Sequence, residues 1–202
     1  MPTREHLVRR GLRLEYATLA WNVVGVAVLT WAALRARSIA LAGFGFDTLV
    51  EIGASTVVVW ELNSVHEERR DRAMRLIGGA FIVLIAYMVI LSAVAIVRDV
   101  HPLHSRAGIV WTGLTALAMF TLATAKLRTG DELANPVLRT EGRVTFIDGL
   151  LSVAVLVGLS ANALLGWWWA DPIAGLVIVA YSVREAREAL DHATDHGATP
   201  SP

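Results

Sequence analysis

The chain has 202 residues, 55% of them hydrophobic, a mean hydropathy of +0.54, and 18 basic against 18 acidic side chains. A soluble domain would alternate polar and apolar faces along its helices, whereas these apolar runs are about as long as a bilayer is thick, roughly 20 residues each. Charge balance leaves no basic footprint for nucleic acid, and the absence of cysteine excludes disulfides and thiolate metal ligands.

A basic segment, residues 1–13, precedes the first apolar run at 14–34. That run is long enough to span and carries no short cleavable core, so it is read as a retained helix and not a signal peptide. The second run, 39–62, contains FDTLVEIGAS, in which Asp47 and Glu51 stand four apart, on one helical face. A charge-dense connection, NSVHEERRDRAMR, leads to the third run at 74–97; its His66, beside Glu67 and Glu68, is a candidate for feeding ions toward Glu51. The next connection holds Asp99, His101 and His104, expected as solvated loop residues before ion-catching ones.

The fourth run covers 106–127 and is followed by KLRTGDELANPVLRTEG, read as the longest loop because Gly130 and Pro136 disfavour helix. The fifth, 143–166, carries Asp148; Glu141 at its foot is expected to be a solvated helix start, with an ion-guiding role as the second choice. In GWWWADP, Trp167, Trp168 and Trp169 suit an interfacial aromatic belt, and Asp171 with Pro172 reads as the cap and first residue of the sixth helix, 170–190. The tail, 191–202, places His192 and His196 four apart, either a weak metal collector or a frayed end. Asn22 and Asn162 are expected to hydrogen-bond between helices.

The fold expected is therefore all-α, with six transmembrane helices in one domain, 14–190. Placing both termini in the cytoplasm puts 14 of the 18 Lys and Arg residues, Lys126 among them, on that side, as the positive-inside rule requires.

Three carboxylates interrupt the spans: Asp47 and Glu51 in the second, Asp148 in the fifth. Each costs about 2.5–3.5 kcal/mol near the bilayer centre on insertion scales, so they are expected to face inward and meet in one layer. Neither helix has an interior Lys or Arg, so no internal salt bridge is expected and the cluster calls for a cation. A divalent ion bound there would displace protons, the elementary step of a metal/proton exchanger. Neutral packing groups or a proton relay are the alternatives. Small residues nearby, Gly43, Gly45, Gly53, Gly149 and Gly158, would allow close helix approach.

FDTLVEIGAS, the IDG at 147–149 and WWWADPIAGLVIVAYSVREAREAL together resemble the transmembrane domain of the cation diffusion facilitator (cation efflux) family, over roughly residues 10–190. The resemblance implies export of zinc or related divalent ions from the cytoplasm, usually against protons, by a homodimer in the membrane, here the inner membrane of a bacterium. It implies a non-enzymatic transporter with no resident cofactor, the divalent cation being its substrate. The family's site has two residues four apart in the second helix and two in the fifth; these map onto Asp47, Glu51 and Asp148.

Two departures follow. The other fifth-helix position is Val144, which offers no ligand, leaving three carboxylates with water or the Thr145 hydroxyl. Such an all-oxygen set suits manganese or magnesium better than zinc, so the cargo stays open among zinc, manganese, iron and cobalt. The cytoplasmic domain that follows the sixth helix in most relatives is not expected in residues 191–202, so a dimer would be held through membrane helices. The rival readings are a transport-inactive accessory subunit and a membrane-embedded metal-dependent enzyme.

Overall fold

A computed structural model describes residues 4–63, 79, 82–94, 97, 98 and 101–195. These form six helices and, among the described residues, no strand: α1 Arg4–Ala36, α2 Ile39–Asn63, α3 Ile82–Val94, α4 Arg106–Leu133, α5 Pro136–Leu165 and α6 Ala170–Asp195. Of these, α1, α4 and the Leu138–Leu165 part of α5 are long and apolar enough to cross a membrane.

The polarity of the helices is inverted relative to a soluble bundle. In α1 the buried positions Glu15, Thr18, Asn22, Gly25 and Leu29 are spaced three or four apart and form one inward stripe. Val23, Val24, Trp31 and Leu34 on the other faces are exposed. Leu117 and Leu164 do the same on α4 and α5. Polar groups turned inward and apolar groups turned outward suit hydrocarbon as the solvent.

The expected long loop between the fourth and fifth helices is not there. Helix α4 continues to Leu133 and α5 starts at Pro136, so the chain reverses within Ala134 and Asn135. Ala134 takes the left-handed conformation (φ 51°), and the Asn135 N–H reaches back to the Gly130 carbonyl at 2.9 Å. Asn135 Oδ1 then accepts from the Leu138 N–H at 3.1 Å, capping α5. Pro136 opens the helix, where no amide donor is needed. Gly130 serves close packing: a Cβ there would lie 2.9 Å from the Arg139 backbone nitrogen. Neither residue breaks a helix, because each sits at a position that tolerates it.

At the opposite end of the bundle, the hairpin end, Asp171 also departs from expectation. Its carboxylate accepts from the Ile39 N–H at 2.9 Å, the Ala40 N–H at 3.3 Å and the Ser38 hydroxyl. It lies inside the first turn of α6 and caps α2, whose first amides point at it. Ser38 completes that cap by accepting from the Leu41 N–H at 3.1 Å. Asn162, expected to join another helix, donates instead to the Pro102 carbonyl at 3.1 Å. Trp167 and Trp169 stack with centroids 5.2 Å apart. Leu29, Ala36, Leu41, Phe44, Met88 and Ile178 make an apolar core in this half, where Asp171 is a buried acid, and Glu15, Lys126 and Glu141 lie toward the other, terminus-bearing end.

Candidate functional site

Helical spacing builds the site from three buried stripes. Helix α2 presents Asp47, Glu51 and Ser55; α5 presents Glu141, Thr145, Asp148 and Ser152; α1 presents Glu15, Thr18 and Asn22. All ten are buried, and contacts between the stripes fix their order along the bundle.

The first layer is the one expected from sequence. The Glu51 and Asp148 carboxyls lie within hydrogen-bonding reach of each other, and Asp47 is near enough to act electrostatically on Asp148. The Asn22 side-chain amide donates to Glu51 Oε2 at 2.9 Å, the interhelical bond anticipated for it. Two carboxyls bond only through a proton between them. Glu51 Oε1 and Asp148 Oδ1 are both buried, and among the described residues no N–H or O–H donor reaches either. Among the described residues no three His, Asp or Glu groups close into one ion-gripping cluster in this conformation. The structure thus brings Glu51 and Asp148 together across two helices, with Asp47 acting electrostatically on Asp148.

Toward the terminus-bearing end lies a second layer. Lys126 of α4 is fully buried, with its ammonium 3.0 Å from Glu15 Oε2, 3.4 Å from Glu141 Oε1 and 3.1 Å from Thr145 Oγ1. The Ser55 hydroxyl donates to Glu141 Oε1 at 3.0 Å. Two expectations fall here. A basic side chain does reach this depth, supplied by α4 and not by the helices that carry the acids. Glu141 is no solvated helix start but a buried partner of Lys126 and Ser55, because α5 begins about two turns earlier than the apolar run suggests. Lys126 therefore leaves the tally of loop charges that set orientation.

Thr145 is fully buried, and its hydroxyl oxygen faces Lys126 as an acceptor. Val144 is half-buried, off the stripe of Glu141, Thr145 and Asp148. Of the histidine candidates, His66 and His196 lie outside the described residues, as does Asp99. Helix α6 runs past position 192 to Asp195. His101 and His104 are exposed, the former against the Trp168 ring at 4.8 Å.

Glu15 and Lys126 are the site residues that sequence reasoning missed. Both carried a signal. Glu15, Thr18 and Asn22 are spaced three and four apart, and Lys126 continues the α4 stripe of Thr112, Thr115, Met119 and Ala123. Each lay within a residue or two of an apolar-run boundary, where a charge is easily assigned to solvent.

Residues 16–194 match the family described as the cation efflux transmembrane domain. Two curated relatives, each described as a probable cation efflux system protein, come from Mycobacterium tuberculosis strains CDC 1551 / Oshkosh and H37Rv. Each is 33% identical over 110 residues, which are 52% of this chain and 32% of the relative. The match thus covers about a third of the relatives' own length.

Proposed function

Given that the chain belongs to the cation efflux family, we propose that it exports a divalent metal ion from the cytoplasm in exchange for protons, through Asp47, Glu51 and Asp148. Cation transport and membrane residence come with the family. The residues, the exchange and the ion are the proposal. The observation that carries it is the meeting of Glu51 and Asp148 from two helices, each with a buried oxygen lacking a partner. An arriving cation would replace the proton between these carboxyls, while Asn22 holds Glu51 by its other oxygen. Movement of Asp47 into the pair would complete three carboxylates around the ion.

The donor set is all oxygen, with Val144 off the stripe, which favours manganese-class ions over zinc. With six crossings both termini would face the cytoplasm, in the inner membrane of a bacterium. Two copies would pair through their lipid-facing helices. The test is Mn2+ flux in proteoliposomes under an imposed pH gradient. Asp47→Asn and Asp148→Asn should each abolish flux while leaving helicity and monodispersity intact; unchanged flux in both ends the assignment.

Val144, which offers no ligand at the other fifth-helix position, gives one other reading support, that of an accessory subunit inactive by itself. Co-purification with a full-length exporter, with no flux from the chain alone, would establish it.

A further inference from the structure

Lys126 is gripped as a bound cation is gripped. Its three N–H donors meet three buried oxygens, Glu15 Oε2, Glu141 Oε1 and Thr145 Oγ1, at 3.0, 3.4 and 3.1 Å. Ser55 reaches the same Glu141 oxygen. The oxygens come from α1, α2 and α5, whereas the cation arrives from α4 on a flexible stem. This cage holds more than an ammonium needs. Two carboxylates face one positive charge, and Glu15 Oε1 is buried with no hydrogen-bond partner although its residue is fully enclosed. An ammonium has three donors and one charge, and both are already spent. A hard divalent cation takes six or more oxygens and would balance both carboxylates.

We propose that Glu15, Glu141, Thr145 and Ser55 form a second site for a hard divalent cation, with Lys126 as its tethered competitor. As a step in transport this rests on the carrier reading of the neighbouring acids; as a binding site it stands independently. The ion and the ammonium repel each other, so the cage holds one or the other. Arrival of a divalent ion expels Lys126, whose point charge and rotatable stem allow it to leave where a guanidinium fork would stay. A monovalent ion brings no more charge than the lysine it must replace, so the cage discriminates by charge. Lys126 is in this sense a selectivity residue that touches the cargo's ligands and never the cargo.

The test uses the full chain, purified, with Mn2+ as the probe. In an Asp148→Asn background, adding Lys126→Ala should create binding of about one Mn2+ per chain, read by the loss of the free-ion paramagnetic resonance signal. Mn2+ should also raise the thermal midpoint of that double variant, and further Glu15→Gln and Glu141→Gln changes should erase both effects. A folded double variant that is silent to Mn2+ overturns the site. Should it fail to fold, Lys126→Arg decides, since it keeps the charge: Mn2+ flux should fall about tenfold as the fork holds both glutamates. Flux equal to wild type means that Lys126 is never displaced, and the competitor role is wrong. Normal flux in Asp148→Asn alone sinks the carrier reading while leaving Mn2+ capture by the cage intact, so the two failures are told apart.

Discussion

Two carboxylate layers, whose acids Glu141 and Asp148 stand about two helical turns apart on α5, meet their charge in different ways. In the layer of Glu15 and Glu141 the chain supplies its own cation, and Lys126 has every donor occupied. In the layer of Glu51 and Asp148 no side-chain ammonium touches either acid among the described bonds, and the donor to Glu51 is the neutral Asn22 amide. The Lys126 layer holds a covalently attached counter-ion, and the Glu51–Asp148 layer is the one proposed to take its cation from outside. The two layers thus differ in one respect that the described contacts show: an ammonium sits in hydrogen-bond contact with the acids of one and not with those of the other.

Removing one charge from each layer should have unlike consequences, which is the sharpest way to break this contrast. The largest effect expected is loss of Mn2+ flux in Asp148→Asn, together with a thermal midpoint at or above wild type, since an uncompensated buried acid has been neutralised. Flux assays and unfolding scans on one preparation read both. Lys126→Met should do the reverse to the fold, destabilising by about 3–5 kcal/mol because two buried carboxylates lose their partner. Combining it with Glu15→Gln and Glu141→Gln should recover much of that loss, as replaced buried ion pairs usually do. Equal stability of Lys126→Met and wild type would erase the distinction between the layers.

A smaller change sharpens the contrast within the first layer. Asn22→Ala removes one interhelical hydrogen bond, costing about 0.6–1.7 kcal/mol, and should weaken Mn2+ binding without abolishing flux. The smallest effect lies away from both layers. Ala134→Gly relieves a left-handed non-glycine turn and should stabilise by about 0.4–1 kcal/mol with transport unchanged.

The acids of the first layer were legible in sequence because a carboxylate in the middle of an apolar run has no bland explanation. Asp47, Glu51 and Asp148 announce themselves by cost. Glu15 and Lys126 do not, since hydropathy falls away near the ends of their runs and both sit where solvent is the default assignment. Gly130 and Pro136 misled for a related reason. Their helix-breaking tendency belongs to helix interiors, and here one lies at a packed last turn and the other at a first residue. Asp171 was recognised as a cap, but which helix it serves is a tertiary fact: nothing local distinguishes the amides of α6 from those of α2.

That cap also orders the assembly of the chain in time. A ribosome delivers Ile39 and Ala40 some 130 residues before Asp171 emerges, a span given by the separations of 132 and 131 positions. Through most of translation the start of α2 therefore lacks its carboxylate, and the earliest hairpin inserts as a provisional piece. Only when the final helix docks does α2 acquire its permanent terminus. Nascent chains cut short just before residue 171 should accordingly be recognised by quality-control proteases as unfinished, however complete their first five helices.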